Sequence, residues 1–247
     1  MTPPKPLEAA AFLTLLAVSV VLFWRRVRRV LGIIFDSKPD PGFALQPLRP
    51  RIRELGREVL LQARVIRERP WPGIAHALVF WGFCVFALVS LNHLSLGVGV
   101  ELFTWREGFF GPLYFFVAAL FAVAVAVSIT ALAIRRFVTR PKWLGEVSPE
   151  SGIIAFLIFA LMLTYLADYV FEPQGGAYRL VWWLHTLALL AFLPLIPHTK
   201  HLHLVLSPAS VLLSRGGFSR IPPLAGDDDF GLSAGKDVTR IVSLQTF

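Results

Sequence analysis

Six histidines carry the chemistry this sequence offers: His76, His93, His185, His198, His201 and His203. All six belong to two of the chain's apolar runs or to their ends, and the other apolar runs hold none. An ionisable side chain in or beside a hydrocarbon core is costly unless it is paired or ligated, so such residues mark function by default. Neutral imidazole is a ligand for transition metals, and two imidazoles facing each other across a gap between helices can hold a b-type haem iron from both sides.

The spacing gives depth. His93 follows His76 by 17 residues, roughly 25 Å at the ~1.5 Å helical rise. His203 follows His185 by 18 residues, roughly 27 Å. The two segments run in opposite directions, so His76 and His203 share one level and His93 and His185 share the other. Eighteen residues are five whole turns, which puts His185 and His203 on one face, provided the helix continues unkinked past Pro194 and Pro197. His76 and His93 differ by about 100° around their helix. His93 lies beside Asn92 and a glycine-containing loop, and ligand and ordinary interfacial residue both remain open for it. His198 and His201 point elsewhere and read as propionate-orienting, partner-facing or surface residues. Lys200, Arg67 and Arg69 are cationic candidates for haem propionates at the inner level, and Arg179 at the outer. The His198, His201 and His203 cluster fits no familiar zinc spacing.

The elements that must position these residues are membrane helices. The chain has 247 residues, 55% hydrophobic and 16% charged, with a mean hydropathy of +0.64. A soluble domain is nearer 45–50% apolar and about 25% charged, which excludes a disordered chain and sets this one apart from cytosolic enzymes. The single cysteine, Cys84, excludes an intrachain disulfide, a four-cysteine zinc site and an iron–sulfur cluster ligated by cysteines of this chain alone. Cys84 itself reads as a small core residue. Runs long enough to cross a hydrocarbon core of ~30 Å fall at Ala9–Trp24, Gly73–Leu94, Pro112–Ile134, Gly152–Val170 and Leu180–Pro197. The first has the look of a signal peptide, but Phe23, Trp24, Arg25 and Arg26 follow it where a small-residue cleavage site would stand.

Charge sets the orientation. The net charge is +8, and twenty-one of the 24 Lys and Arg residues fall on one side of the expected membrane, leaving Lys5, Arg106 and Arg179 on the other. The positive-inside rule then places the N-terminus outside and the C-terminus in the cytoplasm. This accounts for the basic excess without nucleic acid. Ile52, Leu55, Val59, Ala63 and Ile66 fall at helical spacing, with Arg53, Arg57, Arg64 and Arg67 largely off that stripe. The pattern predicts a basic amphipathic helix over Ile52–Arg69, lying on the membrane surface or packed on a partner. The expected fold is all-α: a five-transmembrane-helix bundle in a bacterial or archaeal cytoplasmic (inner) membrane. Its parts are a first helix (1–24), a cytoplasmic loop with the amphipathic helix (25–72), a four-helix haem-binding core (73–205) and a cytoplasmic tail (206–247). The tail reads as extended from Ser214. Trp71, Trp105, Trp143, Trp182 and Trp183 read as an interfacial belt. Gly82 reads as a close approach for a flat ring or a helix. Asp168 and Glu172 are candidates for proton exchange with a quinone, or solvated loop acids.

Trp183-Leu184-His185, then Pro197, Lys200 and His203, resembles the last transmembrane helix of the respiratory nitrate reductase gamma subunit family of membrane b cytochromes. Pro72-Gly73-Ile74-Ala75-His76 and Phe80-Trp81-Gly82-Phe83 resemble its second helix. The resemblance implies that His185 and His203 ligate two different b haems and that His76 is a ligand. The family's second ligand on that helix would stand at Phe86, so this chain holds two haems if His93 substitutes and one if it does not. The run Lys200-His201-Leu202-His203-Leu204 with Ser207-Pro208, and the tail Phe230-Gly231-Leu232 with Asp237-Val238-Thr239, is similar to a fused branch. There a five-helix cytochrome precedes a heterodisulfide-reductase-like iron–sulfur domain, so the clusters are expected in a missing domain or a separate partner. The resemblance implies electron relay between quinone and a cytoplasmic iron–sulfur or flavoprotein partner. The other readings are a cofactor-free membrane anchor and a transporter, for which spans two to four lack mid-span charge and proline.

Overall fold

The computed structural model describes residues 5–39, 43–104, 107–141 and 147–214. It is all-helical, with α1 (Pro6–Asp36), α2 (Leu48–Leu55), α3 (Ala63–Glu68), α4 (Pro70–Leu96), α5 (Phe110–Ile134), α6 (Pro149–Phe171), α7 (Gly175–His198) and α8 (His203–Leu212). Five helices, α1, α4, α5 with its extension to Thr139, α6 and α7, are long and apolar enough to cross a membrane. Each contains the apolar run expected for it. The expected extended tail lies, apart from Ser214, outside the described residues, as do Trp105 and Trp143.

The chain divides into two compact units. The first comprises Met1–Val21 and Val65–Leu195. Its core is built where α4, α5 and α6 pack through Phe86, Val89, Phe115, Ala118, Ala122, Val125, Leu161, Met162 and Tyr165. Ala118 and Ala122 are fully buried, and small residues on one stripe let helices approach closely. A Cβ on Gly82 would run into a methyl of Val125, so Gly82 serves helix packing. The opposite face of α5 exposes Phe116, Leu120, Val123 and Val127. These recur every three or four residues, the stripe a helix turns toward lipid. Cys84 is exposed, not a core residue; it shares a face of α4 with the exposed Leu88 and Leu91. Within the bundle, buried hydroxyls meet backbone carbonyls. The Tyr165 hydroxyl donates to Phe115 O at 2.8 Å, that of Tyr114 to Val85 O, and that of Ser19 to Leu190 O at 2.7 Å. Each removes an unpaired polar group from an apolar interior.

The second unit comprises Leu22–Arg64 and Ile196–Phe247. α1 does not stop where its apolar run ends at Trp24. Val30 and Ile34 are one turn apart and bury against Leu202 and Leu206 of the segment after α7, so an amphipathic stripe carries the helix on to Asp36. Arg26 Nε donates to Pro197 O at 3.3 Å. The single helix expected over Ile52–Arg69 is instead three pieces: α2, a widened turn at Gly56–Leu60, and α3. The break falls at Gln62, buried, with a left-handed φ of 53°, its side-chain amide donating to Val59 O at 2.8 Å. A buried glutamine that bonds a carbonyl three residues back competes with helix continuation. Arg51 closes the unit by donating to the carbonyls of Leu212, Ser214 and Ala44 at 3.0, 2.7 and 3.0 Å.

Candidate functional site

α4 and α7 run antiparallel with a histidine near the matching end of each, and the structure brings these two together. The rings of His93 and His185 lie 4.5 Å apart between centroids, tilted at 53°. His185 is buried. The level deduced from helical rise therefore holds for this pair.

Hydrogen bonds fix both rings. His93 Nε2 lies 2.8 Å from the hydroxyl of Thr186, which is fully buried. His185 Nδ1 lies 2.8 Å from the hydroxyl of Thr164 on α6. That hydroxyl also lies 2.7 Å from Ala160 O and 3.1 Å from Leu161 O. A threonine has one hydroxyl hydrogen, and carbonyls can only accept. The hydrogen goes to the carbonyls, so Thr164 Oγ1 accepts from His185 Nδ1–H. Neutral imidazole carries one proton, which leaves His185 Nε2 as the basic nitrogen.

Aromatic packing encloses the pair. Trp182 stacks on His93 at 5.2 Å and 21°, and Phe12 of α1 lies 5.6 Å from Trp182. Trp182 is thus part of the site, where the sequence suggests only an interfacial belt. Gly97 closes this end, since a Cβ there would meet the Phe12 ring at 2.5–2.7 Å. Asn92, next to His93, is buried. Its Oδ1 accepts from Leu102 N and Phe103 N, both at 2.9 Å, and its Nδ2 donates to Phe103 O at 3.0 Å. The loop after α4 is thereby fastened over the histidine level.

The residues expected at the inner level are arranged differently. The helix from His185 does not run to His203. It passes through Pro194 and Pro197 and ends at His198; Thr199 is extended, and a short turn over Lys200–Leu202 precedes α8. The condition for a common face of His185 and His203 is not met. His203 is exposed, and its Nδ1 donates to Lys200 O at 2.7 Å. His76, half-buried on α4, belongs to the first unit and His203 to the second. His201 Nδ1 lies 3.0 Å from the Thr199 hydroxyl, and His198 is exposed. Arg179, a candidate at the outer level, pairs with Glu8 at 3.5 Å. Arg69 lines an open recess with Pro70, Trp71, Pro72 and Arg135. Among the described residues no group of three or more His, Cys, Asp or Glu is placed to hold a metal ion.

Two imidazoles from facing helices, one held in a defined tautomer by a hydroxyl behind it, are the donor types a haem iron would take. The spacing is tighter than that role needs. With bonds of roughly 2 Å to each imidazole nitrogen, a metal ion between His93 and His185 would need more room than rings 4.5 Å apart leave. His93 and His185 would hold an iron only with their rings further apart.

Thr164 and Thr186 were not legible as site residues. A threonine in an apolar helix ordinarily bonds a carbonyl of its own preceding turn, as Thr14 and Thr130 do here, so its presence alone carries no signal.

No family profile matches the chain, and no solved structure matches it significantly. Among curated proteins it is similar to a probable iron-sulfur-binding oxidoreductase, FadF, of Bacillus subtilis (strain 168), with 24% identity over 239 aligned residues, covering 84% of this chain and 33% of the relative. It is also similar to an EtfAB:quinone oxidoreductase of Syntrophomonas wolfei subsp. wolfei (strain DSM 2245B / Goettingen), with 26% identity over 185 residues, covering 59% of this chain and 25% of the relative. The chain therefore spans about a third and a quarter of the length of these relatives, and its likeness is to oxidoreductases.

Proposed function

We propose that this chain is the membrane part of a quinone-linked oxidoreductase, relaying electrons between quinone and an iron–sulfur or flavoprotein partner through b-type haem. The observation that carries the proposal is the His93–His185 pair, two imidazoles from different spans brought together inside a helical bundle. The named chemistry of the two relatives, iron–sulfur binding in one and quinone oxidoreduction in the other, supports it.

In this reading His93 and His185 hold the outer haem, and His76 with His203 the inner one, with Lys200 beside it for a propionate. The haem supplies one-electron iron chemistry; the protein supplies ligands, spacing and dielectric. Trp182 and Phe12 keep water from the outer pair, and Thr164 orients His185. The positive-inside rule sets the N-terminus outside and the C-terminus in the cytoplasm of a bacterial or archaeal inner membrane. Iron–sulfur clusters belong to the partner or to a further domain. The close ring spacing and the His93–Thr186 hydrogen bond favour a second reading, a cofactor-free anchor with structural histidines.

The chain expressed in haem-replete membranes decides between them. Dithionite-reduced minus oxidised spectra are expected to give a b-type α band, with about two haems per chain if both pairs bind. About one haem, lost in His185→Ala and retained in His203→Ala, would keep only the outer pair. A folded protein without haem would overturn the cytochrome reading in favour of the anchor.

A further inference from the structure

We propose that the recess between the start of α4 and the end of α5 holds the phosphate of an acidic phospholipid. This site is independent of haem and of the use made of the histidines.

The recess measures about 390 Å³ and is lined by Arg69, Pro70, Trp71, Pro72 and Arg135. Arg69 stands immediately before α4 and Arg135 immediately after α5, so the ends of two spans bring their guanidiniums to one opening. None of the described residues lining it is acidic. Over residues 65–69 and 135–140, five arginines stand against one acid, Glu68. A guanidinium can meet two phosphate oxygens at once and is less strongly hydrated than an ammonium. Pro70 and Pro72 have no N–H, so the first turn of α4 is poor in donors and the arginines carry the attraction.

The backbone holds this corner in place. Gly73 N donates to Arg69 O at 2.7 Å, and Arg69 N to Val65 O at 3.2 Å. A Cβ on Gly73 would lie 2.5 Å from Val65 O and 2.6 Å from Ile66 Cα, so the chain at Val65 and Ile66 packs directly on the first turn of α4 and only glycine admits it. On the other side, Arg140 ends the extension of α5 with a left-handed φ of 44°, and its Nε donates to Phe137 O at 2.6 Å.

What borders the recess selects a lipid over a soluble anion. Trp71 is 84% exposed, and tryptophan is the side chain suited to the headgroup level. Deeper along the two spans, Ile74 and Ile134 are exposed. Ile134 lies seven residues from Val127, on the same face, and so continues the lipid-facing stripe of α5. A phosphate held by the arginines sets its glycerol beside Trp71 and its acyl chains along these aliphatic side chains. A zwitterionic headgroup would bring its own ammonium toward two guanidiniums, and an acidic one such as phosphatidylglycerol does not.

Native mass spectrometry of the full chain, released from detergent micelles and titrated with phosphatidylglycerol or with phosphatidylcholine of the same acyl chains, tests the proposal. The first phosphatidylglycerol is expected to bind more tightly than the first phosphatidylcholine. Arg69→Gln and Arg135→Gln are each expected to weaken it about fivefold, with phosphatidylcholine binding unchanged. Lysine at both positions keeps the charge and should keep most of the preference. Arg53→Gln, which removes the same charge from α2, should bind as the native chain does. Absence of a preference in the native chain overturns the proposal. So does native-strength binding in the Arg69→Gln, Arg135→Gln double variant. An equal loss in Arg53→Gln would show attraction to total charge alone, and displacement of the lipid by an equal concentration of inorganic phosphate would show a soluble-anion site; either result rejects the lipid site. If a glutamine variant does not fold, Trp71→Ala at its exposed position decides, since first-lipid binding as tight as in the native chain would contradict the placement.

Discussion

Gly97→Ala is a substitution whose sign the packing reverses. Gly97 follows the last turn of α4 with φ −64° and ψ −19°, a backbone that alanine adopts without strain. In open space the change would stabilise the protein by about 0.4–1 kcal/mol, because alanine has less freedom to lose on folding. Here the added methyl would sit 2.5, 2.6 and 2.7 Å from Phe12 Cε1, Cζ and Cδ1, where ordinary contact begins at 3.4 Å. Phe12 is 0% exposed and has Trp182 beside it at 5.6 Å, so its ring has nowhere to retreat. Overpacking of this kind costs about 1–3 kcal/mol. The expected net loss therefore runs up to about 2.5 kcal/mol once the entropic gain is set against it. Reversible unfolding of the purified protein in mixed micelles, titrated with denaturing detergent and followed by tryptophan fluorescence, measures it. In a Phe12→Leu background, Gly97→Ala should become neutral or mildly stabilising, a coupling of about 1–3 kcal/mol between the two sites. A Gly97→Ala protein more stable than the native one would refute the reasoning.

Asn92→Ala strands two backbone N–H groups and a carbonyl of the 102–103 segment, and should speed hydrogen exchange at Leu102 and Phe103 roughly tenfold to a hundredfold; unchanged exchange would mean that the side chain does not hold the loop. Arg51→Met removes three bonds to carbonyls and the stacking on Phe43 at 5.2 Å. Limited proteolysis should then cut faster near Leu212, and equal cutting rates would show that the arginine anchors nothing there. A fluorescent protein fused after Phe247 should fluoresce in intact cells if the C-terminus is cytoplasmic, and a dark but inserted fusion would reverse the proposed orientation.

Hydropathy found all five long helices because a span must be apolar over its whole length. It misjudged the end of α1, where the apolar surface narrows to a stripe holding Val30 and Ile34, and a window average over Arg25, Arg26, Arg28 and Arg29 hides a stripe. Periodicity overran at Ile52–Arg69, where Ile52, Leu55, Val59, Ala63 and Ile66 keep the helical spacing but Gln62 has a better use for its amide. The meeting of His93 and His185 followed from rise per residue along two antiparallel helices, a local quantity. Facing of His185 and His203 needed an unbroken helix through Pro197, and the chain breaks at Thr199 instead. Thr164, Thr186 and Trp182 depend on which helices adjoin, which periodicity within one helix does not encode.

The fastening of α1 has a consequence for biosynthesis. Ser19 reaches the carbonyl of Leu190, 171 residues later, and Arg26 reaches that of Pro197, also 171 residues later. At ~5–20 residues per second, the first helix leaves the ribosome roughly 10–30 s before its partner exists. Through that interval Ser19 and Arg26 have only lipid, water or the insertion machinery to meet, while Phe12 can already rest against Gly97 at the end of α4. The intermediate helices α4, α5 and α6 can pair as they emerge, because their core contacts join neighbours in the chain. The bundle is therefore completed by its last span returning to its first, and a nascent chain halted before α7 would carry an assembled centre with a first helix that lacks its bonds from Ser19 and Arg26.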